Sequence, residues 1–328
     1  AIANYFVNNQ REKKSQFPEL ITTTLKKVND LRYGENPHQN AAYYNVVEST
    51  NGVAPFEQLH GKELSYNNII DIAAALNIVS AFDIPAASII KHTNPCGAAV
   101  ADDIKSAYKK AYESDPISAF GSIVGLNKSV DEKTAQVLNE TFIEVIIAPE
   151  FDSKALDILT KKKSLRLIKA SVKDCSNKLY YKYINNSFLI QSLNQLTVNK
   201  DDLTGVTKKK VKNDQINDML FAFNLVRFVK SNAILIAKDG QTIGIGAGQM
   251  SRVDAVEIAL KKAGKNAEGA VLASDAFFPF KDSVELAAEY KISAIVQPGG
   301  SKRDQESIEA CNDHDIAMMF TGSRHFLH

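Results

Sequence analysis

Residues 84–97 read Ile84-Pro85-Ala86-Ala87-Ser88-Ile89-Ile90-Lys91-His92-Thr93-Asn94-Pro95-Cys96-Gly97, an apolar run that stops at two basic side chains. The β-branched content and short length of Ala86–Ile90, with Pro and Gly beyond its end, favour a buried strand over a helix. Lys91 and His92 then stand at its carboxyl end, the edge of an open α/β sheet where ligands bind. Successive side chains on a strand point to opposite faces, so the pair can work together only if the strand bends or stops there. Asn94-Pro95 is expected to supply that bend and Gly97 to relieve it. Taken alone, the pair also fits a surface lysine beside a histidine that caps a loop.

Outward from this stretch, helices alternate with short apolar strands, the pattern of an α/β layered fold. Ala1–Asn9 is expected to be a helical start and Leu20–Val28 a strand. Leu31–Gln39 is a loop rich in turn formers that holds an Arg, a Tyr and a His. A helix over Ile69–Phe82, capped by Asn68, places Ile69, Ile72, Ala73, Leu76 and Val79 on one face. Beyond the central strand, helices are expected over Ala101–Tyr112 and Asp131–Phe142, and strands over Phe120–Leu126 and Ile143–Pro149. Asp152–Lys163 reads as a helix ending in Lys161-Lys162-Lys163, cations where a helix carboxyl end favours them. Residues 175–200 read as a hairpin turning at Asn185-Asn186, and Asp214–Lys230 as a long amphipathic helix. From Ala233 the chain repeats itself. Ala107-Tyr-Lys-Lys-Ala111 is echoed by Ala259-Leu-Lys-Lys-Ala263, Ile123–Leu126 by Ala270–Ala273, and Glu144–Pro149 by Ser293–Pro298. Three echoes in order indicate duplication of an αβαβ unit, with an N-terminal connector and first subdomain over 1–150 and a similar second subdomain over 232–328, joined by residues 151–231.

At 328 residues, 45% apolar and 23% charged, the chain has room for a large core and two subdomains. Lys plus Arg number 39 against 38 Asp plus Glu, so no global charge bias points to nucleic acid or an anionic membrane. An anionic ligand must therefore be met by a local cluster. No apolar run is as long as a membrane span, and the start carries no secretory pattern. Cys96, Cys175 and Cys311 are odd in number and far apart, which suits a reducing cytoplasm better than a disulfide framework.

Three motifs invite chemistry. Pro95-Cys96-Gly97 is similar to half of the Pro-Cys-x-x-Cys zinc motif of nucleoside deaminases, but position 99 is Ala and no His-x-Glu stands upstream. No catalytic metal is expected, and Cys96 reads as a buried structural thiol. Gly244-x-Gly246-x-Gly248 invites a dinucleotide reading, yet its spacing is not G-x-G-x-x-G and no acidic residue follows at the end of a second strand. Close backbone approach fits it better, with Ser251 capping a helix and Arg252 in its first turn. An Arg opposes the helix dipole there, which argues for a ligand-facing role. Ser274-Asp275-Ala276-Phe277-Phe278-Pro279-Phe280, between a strand and a helix, holds three Phe in four positions, ordinarily a core pattern.

Lys91-His92-Thr93-Asn94-Pro95-Cys96-Gly97 resembles the active-site signature of the AICAR formyltransferase domain of the bifunctional purine-biosynthesis family. The likeness runs through Leu31–Gln39, Leu64-Ser65-Tyr66-Asn67-Asn68, Gly244–Gln249, Ser274–Phe280 and Arg324-His325-Phe326. Nothing in the chain resembles that family's N-terminal cyclohydrolase domain, and position 1 is Ala rather than Met, as an excised or truncated C-terminal domain would read. No cyclohydrolase activity is then expected. The resemblance implies two duplicated cytidine-deaminase-like α/β/α subdomains with a partly helical insertion, and a cytoplasmic homodimer with sites at its interface. It implies formyl transfer from 10-formyltetrahydrofolate to the 5-amino group of 5-aminoimidazole-4-carboxamide ribonucleotide (AICAR), with no metal. Lys91 and His92 would be catalytic: the histidine as base, the lysine at the oxyanion and leaving group. Arg32, Tyr33, Gly121, Lys163, Asn232, Arg252, Phe277 and Arg324 would bind the nucleotide. Glu144, Val253, Asp282, Gly299 and Gly300 would bind the folate. Two rivals remain at this point: a nucleotide-binding module without turnover, and an NAD-dependent oxidoreductase suggested by the glycine run alone.

Overall fold

Twelve strands join into one mixed sheet in the computed structural model, whose described residues are 17–47, 56–171 and 179–328. The expected helix at Ala1–Asn9 and Cys175 lie outside the described residues. β1 (Leu25–Leu31) and β2 (Ala41–Val46) form a separate antiparallel ribbon. The first half of the large sheet comes from β3 (Glu57–His60), α1 (Tyr66–Val79), β4 (Ala86–Lys91), β5 (Asn94–Val100), α2 (Ile104–Ser114), β6 (Ser122–Leu126), α3 (Glu132–Asn139), β7 (Ile143–Ala148), α4 (Ser153–Leu159) and β8 (Arg166–Lys169). A free-standing hairpin, β9 (Leu179–Ile184) and β10 (Ser187–Ser192), turns at Asn185-Asn186 as expected. The second half holds β11 (Thr204–Gly205), α5 (Asn213–Val226), β12 (Ile234–Lys238), β13 (Gln241–Gly246), α6 (Arg252–Ala263), β14 (Val271–Ser274), α7 (Asp282–Glu289), β15 (Ala294–Gln297), α8 (Asp304–Asp313) and β16 (Ala317–Phe320).

The strand order, β11-β16-β15-β14-β12-β13-β5-β4-β6-β7-β8-β3, repeats one pattern about its middle. Each half has a hairpin (β4–β5, β12–β13), an antiparallel neighbour (β6, β14), two parallel strands (β7 and β8, β15 and β16) and a short antiparallel edge (β3, β11). The three sequence echoes fall on equivalent elements: α2 with α6, β6 with β14, β7 with β15. The halves meet where β5 and β13 run antiparallel, so they point in opposite directions. One edge of the sheet therefore collects the carboxyl ends of β4 and β13, the amino ends of β6 to β8, and the carboxyl ends of β14 to β16.

Alternation along the strands feeds two layers of helix. Ile90, Ile123, Leu235 and Val271 face α1 and α5 in a core shared by both halves. On the other face Ile89, Val124 and Ile146 pack under α2 to α4, while Ile234, Leu272 and Ile295 pack under α6 to α8. Glycine permits the closest of these approaches. A Cβ at Gly246 would stand 1.9 Å from the Ala255 carbonyl oxygen, and one at Gly97 2.0 Å from that of Ala111. Gly244 and Gly246 thus seat a helix on a strand.

Several boundaries differ from expectation. Asn94-Pro95 is no bend: it begins β5, and the chain reverses at His92-Thr93, whose φ angles are 52° and 65°. Pro95 is tolerated in a strand because the register slips there, pairing Ile90 with Pro95 and Ile89 with Gly97 and leaving Cys96 as a bulge. The first helix starts earlier, because Ser65 and Asn68 form a reciprocal capping box. Asp103 and Asp131 cap α2 and α3, so those helices start after them rather than at Ala101 or Asp131. α4 stops at Leu159, leaving Lys161–Lys163 beyond the helix, and α5 stops at Val226. The strand expected at Leu20–Val28 is shifted to Leu25–Leu31.

Candidate functional site

The loops at the shared sheet edge enclose a cavity of about 480 Å³, lined among others by Asn232, Arg252, Val253, Phe277, Asp282 and Arg324. They come from four separate segments of the second half. Asn232 precedes β12. Arg252 and Val253 open α6, whose cap Ser251 accepts from the Asp254 amide as expected. Phe277 and Asp282 follow β14, and Arg324 follows β16. Phe277 is 37% exposed, whereas its neighbour Phe278 is fully buried, so the aromatic cluster divides between cavity and core.

Arg252 is held rather than free. Its Nη1 donates to Asp275 Oδ1 at 2.6 Å and Ser274 Oγ at 2.8 Å, and its Nη2 donates to Asn232 Oδ1 at 2.7 Å. Asp275 also accepts from Ser231 Oγ at 2.6 Å. The guanidinium keeps Nε and one Nη2 hydrogen for a ligand, presented at a fixed angle. Arg324 is exposed, with its guanidinium carbon 4.4 Å from the Phe326 ring centroid. Between them His325 is fully buried against Phe223, and burial beside Arg227 pulls its pKa down to about 4.

A second group lies at the ends of the first-half strands. Lys91 Nζ donates to the carbonyls of Phe120 at 2.8 Å and Gly121 at 3.3 Å, while His92 is exposed at the tip of the hairpin. Asn68 Nδ2 donates to Glu144 Oε2 at 3.3 Å. Asp71, buried in α1, accepts from the Thr93 amide at 2.7 Å. The two groups are tied together: Asn94 Oδ1 accepts from the Lys230 amide at 3.1 Å, and Lys230 O accepts from Gly248 at 2.7 Å.

The remaining candidates stand at the same edge but outside the cavity. Arg32 leans on Tyr33 with 5.6 Å from its guanidinium carbon to the ring centroid, and their loop is anchored where Asn67 donates to Glu35 O at 3.3 Å. Lys163 is exposed in the turn before β8. The amides of Gly299 and Gly300 are already taken by Gln297 Oε1 and Asp304 Oδ2. Cys96 donates weakly to Ile89 O at 3.5 Å, and burial pushes its thiol up to about 12, which disfavours a thiolate nucleophile. Among the described residues, no three His, Cys, Asp or Glu side chains gather closely enough to hold a metal ion.

The sequence alone marks no role for Asp71 or Asp275, and gives Asn94 only to a bend. Asp275 had a signal, the acid inside Ser274–Phe280; Asp71 had another, a lone acid in an otherwise apolar helix.

The family profile described as AICARFT/IMPCHase bienzyme matches residues 1–262. The chain belongs to that family. A bifunctional purine biosynthesis protein PurH of Oceanobacillus iheyensis is 53% identical over 331 residues, covering 100% of this chain and 64% of that protein. The PurH of Acetivibrio thermocellus is 50% identical over 321 residues, covering 96% of this chain and 62% of its own length. This AICARFT/IMPCHase-family chain thus spans about 64% of the first of these relatives. Among solved structures, Acinetobacter baumannii RibD aligns with 30% of this chain and 33% of its own at 18% identity and a TM-score of 0.25, too slight a likeness to bear on the fold.

Proposed function

We propose that this chain transfers the formyl group of 10-formyltetrahydrofolate to the 5-amino group of AICAR. The observation that carries the reading is the junction at Asn94 and Lys230, which ties the Lys91-His92 hairpin to the segment leading into Asn232 at the cavity. The aromatic amine attacks the formyl carbon, and His92 takes its proton as the new C–N bond forms. Lys91 stabilises the oxyanion of the tetrahedral intermediate and supplies a proton to the departing folate nitrogen. Phe277 stacks on the nucleotide base, and Asn232, Arg252 and Arg324 bind the nucleotide with Arg32, Tyr33, Gly121 and Lys163. Asp282 and Glu144 accept from folate ring N–H groups beside Val253, Gly299 and Gly300. Positioning two bound reactants supplies much of the rate, and no step needs a metal.

The same reading divides the chain into two deaminase-like units near residues 150 and 231, and makes it a cytoplasmic homodimer. Exposed apolar side chains on the β9–β10 hairpin, Phe188 and Leu189 at 61% each, support burial against a second copy. Among the described residues no helix is long and apolar enough to cross a membrane.

A formyl-transfer assay on this chain tests the reading. Wild type is expected to turn over, and His92→Ala to lose turnover while keeping nucleotide affinity. Nucleotide binding without any turnover by wild type would leave a binding module instead.

A further inference from the structure

The hairpin that carries His92 has a twin. β4 ends at Lys91 paired with Asn94, and β12 ends at Lys238 paired with Gln241, so two residues turn each hairpin. In the twin these are Asp239 and Gly240, with φ of 54° and 68°; in the other they are His92 and Thr93, with φ of 52° and 65°. Asp-Gly is what a turn with two left-handed residues favours. A β-branched Thr there is an outlier and a His uncommon, so the His92 turn needs an outside hold.

The same carboxylate lies under both turns. α1 and α5 lead into the two hairpins, and Asp71 and Asp218 occupy the same place in them, five residues after Tyr66 and Asn213 respectively. Asp218 accepts from the amides of Asp239 at 2.9 Å and Gly240 at 2.7 Å. Asp71 accepts from Thr93 at 2.7 Å. Burial pushes both carboxyls up, opposed by the turn amides that bond to them. Neither acid forms an ion pair among the described residues. The halves run oppositely, so the twin turn stands at the far edge of the sheet from the cavity.

We propose that Asp71 is a positioning residue for His92: by holding the Thr93 amide it keeps a disfavoured turn left-handed and fixes where the imidazole stands. This rests on the reading of His92 as the proton acceptor in formyl transfer. Asp218 does the same for a turn that presents no reacting group.

Steady-state kinetics on the full chain test it, with Asp218→Ala as the control for removing a buried helix acid. Asp71→Ala is expected to lower kcat at least about tenfold while the KM for the nucleotide changes less, since displacing a reacting group is costly. Asp71→Asn, whose amide oxygen can accept the same bond, keeps most of the turnover, and Asp218→Ala keeps wild-type kcat per folded molecule. Adding Thr93→Gly to Asp71→Ala restores part of kcat, because glycine adopts the left-handed turn unaided. Wild-type kcat in Asp71→Ala, an equal loss in Asp218→Ala, or no recovery with Thr93→Gly overturns the proposal. Should Asp71→Ala fail to fold, Asp71→Glu replaces it: one methylene displaces the turn, and an unchanged kcat overturns the idea. If wild type itself shows no formyl transfer, the reaction reading fails. Deuterium exchange at the Thr93 amide then decides the hold separately: faster exchange in the Asp71 variant supports it, unchanged exchange overturns it.

Discussion

Arg252 and Asp275 form a buried ion pair, 2.6 Å from Nη1 to Oδ1, with side chains 5% and 0% exposed. The pair stands at the root of the cavity, one partner opening α6 and the other beginning the turn after β14. Desolvating two charges is costly, and the cost is offset only while both are present and their remaining hydrogen bonds are made. Ser231, Ser274 and Asn232 make those bonds here.

Asp275→Ala should therefore destabilise the fold by about 3–5 kcal/mol, because it strands a guanidinium in the interior. Asp275→Leu combined with Arg252→Met should cost less than Asp275→Ala alone. Urea denaturation of the variants measures both, and an additive loss in the double variant would exclude a coupled pair.

Acid should weaken the protein through His325. Its folded pKa of about 4 lies below the ordinary 6.5, so between these values the unfolded chain binds more protons than the native one. Stability contributed by the neutral ring is intact above about pH 6.5 and is lost as pH falls towards 4, on the order of 3 kcal/mol in all. Urea midpoints at pH 7 and pH 5, compared with His325→Asn, check this: the variant should show the smaller decline.

Cys96 should resist alkylation. With its thiol pushed up to about 12, the thiolate is scarce at pH 8. Iodoacetamide followed by peptide mass spectrometry should leave Cys96 unmodified in native protein and modify it in urea. Cys96→Ala should keep turnover within about twofold, and a loss of 100-fold would instead favour covalent catalysis through this thiol.

Arg324→Lys should raise the KM for the nucleotide about tenfold and leave that for the folate little changed. Lysine lacks both the planar fork and the stacking on Phe326 that orients it. Initial-rate kinetics with each substrate varied in turn separate the two effects.

Much of the architecture was legible along the chain because it rests on local patterns. The apolar run at Ala86–Ile90 is a strand, Ser251 caps α6, and the glycines at 244 and 246 seat a helix. The echoes of α2, β6 and β7 in α6, β14 and β15 mark equivalent elements, since periodicity and capping act within a few residues of one another. Tertiary structure alone decided the rest. No local rule puts the turn at His92-Thr93 rather than Asn94-Pro95, because neither residue favours positive φ and the Asp71 contact is made from a separate helix. Nor does the chain announce that its halves run in opposite directions. That follows from the β5–β13 pairing, which brings strand ends of opposite sense to one edge and with them Lys91, Arg252 and Arg324. Long-range pairing and burial, which depend on the whole sheet, brought scattered motif residues to one edge of it.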